Sequence, residues 1–271
     1  MNTSSTERYT KDKVEQIVDN LTLFDDDLMS MVFDGNVSAA ELLLKIILKR
    51  EDIEVISVVG QKELENPMIE GRNIRLDVLA HDKEGKHYNI EIQRSREGAD
   101  ERRARFHSSM IDIRMLKSGQ QFKDLRESYV IFITEKDYFG AGLPTYTIHR
   151  YLEELNEQFQ DGSHIIYVNG DYTEDDAIGK LMKDFANKDP DSMNYTELAK
   201  GVRHFKKEGG RKSMCEAVKK YGTEMAIQAT IEDGIAYGLD KERIITRVCE
   251  KYGIEQEDAE MLYEEYAQNL A

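Results

Sequence analysis

The chain has 271 residues, of which 40 % are hydrophobic and 33 % charged, and it carries a net charge of −16. This length accommodates one sizeable α/β domain with a smaller appendage, and the composition excludes a disordered chain. The only strongly apolar run, Leu42 to Leu48, is interrupted by Lys45 and is too short to cross a membrane, while the polar stretch Met1 to Asp12 lacks the features of a secretory leader.

A cytoplasmic location without membrane contact is therefore the expectation. Cys215 and Cys249 lack the paired spacing of a zinc or redox motif and read as ordinary thiols. The acidic total opposes nucleic-acid binding, because phosphate contacts need Lys and Arg. Its distribution is uneven, however: Arg94 to Arg126 and Lys200 to Lys220 are basic islands, whereas Glu224 to Ala271 is strongly acidic. A ligand docking on one face responds to the local field.

Residues 1–20 predict at most a loose helix. Ser38-Ala39-Ala40-Glu41 has the pattern of a capping box, leading into an apolar helix that ends near Arg50. β-Branched density predicts strands at Ile53 to Val59, Asn73 to His81 and His87 to Arg94, the last two joined by the turn Asp82-Lys83-Glu84-Gly85-Lys86 into an antiparallel hairpin. Ala99 to Leu116 predicts a helix with Phe106, Met110 and Ile113 on its apolar face. Further strands are expected at Tyr129 to Thr134, Thr145 to Ile148 and Ile165 to Val168. Beyond Gly170 the pattern is helical, with helices expected at Asp175 to Asn187, Tyr195 to Lys207, Ser213 to Lys220, Thr223 to Tyr237, Lys241 to Lys251 and Gln256 to Gln268. The order predicts an α/β fold, a mixed sheet flanked by helices with a helical C-terminal extension. The expected divisions are residues 1–20, a core over 21–188 and a helical region over 189–271.

A turn centred on Glu84 sets Asp77 opposite Glu91 and Arg75 opposite Gln93. Leu76, Val78, Ile90 and Ile92 then share one face, and Asp77, Glu91 and Gln93 share the other. Two carboxylates opposed across strands repel unless a cation lies between them, which points to a site for Mg²⁺ or Mn²⁺. By the motif alone, a solvated strand edge explains the same residues.

The flanking sequence resembles the PD-(D/E)XK nuclease family transposases, a group of recombination-promoting nucleases. The resemblance runs from about Leu21 to about Phe205 and is carried by Leu23 to Phe33 (LFDDDLMSMVF), Glu41 to Leu48 (ELLLKIIL), Arg75 to Ala80 (RLDVLA), Tyr88 to Ser95 (YNIEIQRS), Arg103 to Asp112 (RARFHSSMID), Tyr129 to Glu135 (YVIFITE) and His164 to Asn169 (HIIYVN). It implies a restriction-endonuclease-like core and metal-dependent cleavage of DNA. It assigns Asp77 to the family Asp, Glu91 to the Glu of ExK and Gln93 to its Lys, with Asp77, Glu91, the Ile92 carbonyl and Glu41 as metal ligands. Leu76 stands for the Pro of PD. Gln93 can orient a water but supplies no positive charge, so slow or strongly metal-dependent catalysis is implied.

Glu41 also has a purely structural reading, as the capping-box partner of Ser38. Arg103, His107 and Arg114 lie on one flank of the helix after the hairpin and suit phosphate contacts, with a solvated face as the plain alternative. His81 and His87 read as turn residues; His149, His164 and His204 have no spaced partners, and Asp25-Asp26-Asp27 reads as an exposed acidic run or a helix cap. Lys241 to Gln268 has helix-turn-helix spacing, yet Glu257, Asp258, Glu260, Glu264 and Glu265 would repel DNA. Ile244, Ile245, Val248, Met261, Leu262 and Tyr266 instead suggest a helical packing unit or a homo-oligomer surface. The competing functions are a nuclease fold that binds nucleic acid or protein without cutting, and a two-carboxylate glycosidase, which the absence of Trp disfavours.

Overall fold

The computed structural model describes residues 11–65, 73–95 and 97–268. The first ten residues of the expected N-terminal segment lie outside them. The chain forms two compact units, Leu21–Gly210 and Met1–Asn20 with Arg211–Ala271. Among the described residues no helix is long and apolar enough to cross a membrane.

The Leu21–Gly210 unit is built on a six-stranded mixed sheet. Strands β1 (Val55–Leu64), β2 (Ile74–Asp82) and β3 (His87–Gln93) form an antiparallel meander, with a bulge in β1 between Val55 and Ser57. β3 then pairs in parallel with β4 (Ser128–Thr134), and β4 in parallel with β8 (Ser163–Asn169). β5 (Thr145–Ile148) closes the edge antiparallel to β8, and β6 (Tyr151–Leu152) with β7 (Glu157–Gln158) forms a separate small hairpin. Every residue of β4 is buried, as a central strand covered on both faces requires.

Helix α2 (Asp26–Phe33) was not expected; it buries Leu28, Met29, Val32 and Phe33. Helix α3 (Val37–Leu48) corrects the capping-box reading. It is capped by Asn36, whose side chain accepts the Ala39 N–H, and Ser38 Oγ donates to Asn36. Helix α4 (Glu101–Met115) connects the parallel strands β3 and β4 and packs on the sheet beside β4. α5 (Ala177–Phe185) and α6 (Thr196–Lys207) follow β8. α6 belongs to this unit, where the buried Lys206 ammonium donates to the carbonyls of Leu21 and Lys188.

In the other unit, α1 (Lys11–Asn20) packs with α7 (Arg211–Ala236), and α7 with α8 (Lys241–Tyr252) and α9 (Gln256–Gln268). The two helices expected at Ser213 to Lys220 and Thr223 to Tyr237 are one continuous helix, because a single buried Gly222 weakens a helix interior without ending it. Ile227, Ile231, Ile244, Ile245 and Val248 form the core, whereas Met261, expected with them, is 68 % exposed. A Cβ at Gly234 would fall 2.7 Å from Ile244, so the glycine permits the close approach of α7 and α8.

Candidate active site

The β2–β3 ladder has the expected register, from His81 opposite His87 to Val78 opposite Ile90. Beyond Val78 the strands part, and two carboxylates replace the missing ladder bonds. The Asp77 N–H donates to Glu91 Oε1 (3.4 Å), and the Ile92 N–H donates to Asp77 Oδ2 (2.9 Å). Because a strand residue presents its N–H and C=O to the same edge, the Ile92 carbonyl lies on this side as well. Gln93 and Asp77 line a cleft of about 650 Å³. A Cβ at Gly98 would fall 1.7 Å from Gln93 Oε1, so the glycine makes room for the carboxamide.

α4 supplies the opposite lining. Its N-cap, Asp100, accepts the N–H groups of Arg102 and Arg103. The expected apolar stripe is rotated, since the buried residues are Ala104, His107, Ser108, Met110 and Ile111, while Ile113 is 51 % exposed. Polar His107 and Ser108 occupy the sheet-facing side because each has a partner there: His107 meets Asn89 (3.2 Å), and Ser108 meets Ser163 (2.9 Å). Arg103 Nε donates to His107 Nε2 (3.4 Å), and its terminal nitrogen lies 3.4 Å from Glu91 Oε2. His107 Nδ1 also lies 3.5 Å from Glu91 Oε1. Glu91 is fully buried beneath the cleft, while Arg103 and His107 line it.

Burial, and next the charge of Glu91, push the Asp77 carboxyl up to about 8, even though the Ile92 N–H favours its charged form. Asp26 is also raised, first by the protein crowding it and then by Asp27, Asp25 and Glu91. Asp26, Asp77 and Glu91 thus raise one another's cost of ionisation at this site.

The structure brings Asp77, Glu91, Gln93, Arg103 and His107 together. Glu41 is not among the described cleft residues. Its carboxylate accepts from Lys45 Nζ (2.7 Å) and the Val55 N–H (3.1 Å), tying α3 to β1, and the Lys45 hydrogen bond holds its pKa down. Arg114 is also absent from the described cleft lining and donates to the Glu65 carbonyl. Asp26, Arg75 and Arg102 line the cleft and were not foreseen. For Asp26 the usable signal was the helical spacing of Leu28, Met29, Val32 and Phe33, which defines α2. Three consecutive acids gave no indication of which one faces the site.

Asp77, Glu91 and the Ile92 carbonyl are hard oxygen donors that suit a divalent cation completed by water and phosphate oxygens. The raised Asp77 carboxyl fits this, since a cation would allow both acids to ionise. Among the described residues no group of three or more His, Cys, Asp or Glu side chains is placed to hold a metal, so side chains would contribute only part of its shell. A family model described as PD-(D/E)XK nuclease family transposase matches residues 35–173, just over half of the chain. No curated protein and no solved structure matches. Asp26 lies outside the matched span.

Proposed function

The chain belongs to the PD-(D/E)XK nuclease family transposases, and on that premise we propose that it is a metal-dependent endonuclease acting on DNA in recombination or mobile-element biology. The observation that carries the reading is the Asp77–Glu91 pair, two converging carboxylates at the point where β2 and β3 part. Asp77, Glu91 and the Ile92 carbonyl would hold Mg²⁺ or Mn²⁺, which would neutralise phosphate oxygens and make a nearby water easier to deprotonate. Gln93 orients the attacking water through its amide. Arg103, placed between Glu91 and the cleft, supplies to the phosphate the positive charge that Gln93 lacks. His107 fixes the guanidinium of Arg103. Asp26 is a third carboxylate in the same cleft and the candidate for a second ion; Glu41 and Arg114, held elsewhere, act in the scaffold.

Two observations favour a second reading, a fold that binds nucleic acid with little or no cutting: Glu91 is fully covered, and residue 93 is uncharged. Cleavage of supercoiled plasmid in Mn²⁺ separates the two. We expect nicked or linear product, reduced roughly 100-fold in Glu91→Gln, the order of loss typical when one stabilising group is removed from a site. Binding without Mn²⁺-dependent cleavage would support the second reading, and the absence of both would refute each.

A further inference from the structure

Arginines in this acidic chain are commonly spent on ion pairs: Arg94 holds Asp25 and Glu135, Arg150 holds Asp161 and Arg203 holds Asp191. Arg75 and Arg102 differ. Both are exposed and line the Asp77 cleft, and among the described residues neither forms an ion pair, although Glu63 is the cross-strand partner of Arg75. They come from different elements, Arg75 from β2 and Arg102 from the first turn of α4. Asp100 occupies the main-chain N–H groups of Arg102 and Arg103, so positive charge at this end of α4 comes from side chains.

We propose that Arg75 and Arg102 form a phosphate grip that holds the nucleic-acid strand on either side of the phosphate presented to Asp77. The inference rests on the nuclease reading and adds to it the residues that bind the substrate backbone. Arg75 precedes Asp77 by two positions on β2, which places it about 7 Å along the strand on the same side. That is comparable with the step between neighbouring phosphates of one strand. A guanidinium suits this task because its planar fork donates to two phosphate oxygens at once.

Charge makes the grip dependent on the cation. The site sets three guanidiniums (Arg75, Arg102, Arg103) against four carboxylates (Asp26, Asp77, Asp100, Glu91). A divalent ion adds two positive charges to that balance, so the strand is held once the cation is in place.

The test measures binding of a fluorescein-labelled DNA strand in Ca²⁺ across a salt series, with the thermal shift caused by Mn²⁺ recorded alongside. Arg75→Gln with Arg102→Gln is expected to weaken binding on the order of tenfold or more and to reduce the slope of log K against log salt by about two, one for each lost phosphate contact. The Mn²⁺ shift should remain, showing that the fold and the acid pair are intact. Arg105→Gln, an exposed change on α4 outside the described cleft lining, should leave the slope unaltered. An unchanged slope in the double variant, or an equal loss in Arg105→Gln, overturns the grip while leaving the nuclease reading standing. Absence of salt-dependent binding by the unsubstituted chain overturns the grip, and loss of Mn²⁺-dependent cleavage as well would remove the reading beneath it.

Discussion

Asp82 and Asp77 lie on the same strand, one at the turn end of the β2–β3 hairpin and one where the strands part, and their surroundings are opposite in kind. Asp82 is buried, but its oxygens accept the N–H groups of Glu84 and Lys86 (both 2.9 Å) and the Tyr88 hydroxyl (2.8 Å). Asp77 accepts the Ile92 N–H and faces another acid. A buried carboxylate supplied with donors is a structural clamp, whereas one supplied with a second carboxylate is a site waiting for positive charge. Side-chain type decides neither outcome; the number of donors that the local backbone turns toward it does.

The largest effect expected from this contrast is at Asp82. Asp82→Ala strands two turn N–H groups and a buried hydroxyl, and should cost about 2–4 kcal/mol in chemical denaturation, with no dependence on added Mn²⁺. A cost below that of an ordinary surface change would show that the turn satisfies itself without Asp82.

Asp77 should respond in the opposite direction, and only at higher pH. Its carboxyl has a folded-state pKa of about 8 against an ordinary 3.8, so folding takes up a proton between those values and the metal-free protein loses stability as pH rises through that window. Asp77→Asn keeps an acceptor for Ile92 and removes the charge. We expect little difference from the parent near pH 4 and a gain on the order of 1–2 kcal/mol near pH 8, where solvent still reaching Asp77 limits the effect. Mn²⁺ at pH 8 should stabilise the parent and not the variant. A variant equally stable relative to the parent at both pH values would mean that the acid pair carries no strain.

The smallest effect is expected at Glu41, whose partly exposed pair with Lys45 is local. Glu41→Gln should cost under about 1 kcal/mol and leave the Mn²⁺ thermal shift intact. Loss of that shift would return Glu41 to the cation site.

The hairpin was legible in the sequence because strand alternation and a short turn leave one register in which Leu76, Val78, Ile90 and Ile92 are buried together, and that register sets Asp77 beside Glu91. The strands β4, β5 and β8 were legible for a similar reason: short β-branched runs bounded by turns have few alternatives. The face of α4 was not legible. Its sheet side carries His107 and Ser108, whose partners Asn89 and Ser163 are distant in the chain, so hydrophobic periodicity pointed to Phe106 and Ile113 instead.

By itself the sequence determined the family, the sheet and the acid pair, since these follow from short-range pattern and a resemblance spread along the core. Only the tertiary structure decided which charges share the cleft. It turned Asp26, Arg75 and Arg102 toward Asp77 and committed Glu41 to Lys45 and Val55. The physical reason is that a side chain's neighbours depend on how helices rotate against the sheet, and that rotation is set by packing and buried hydrogen bonds between segments far apart in the chain.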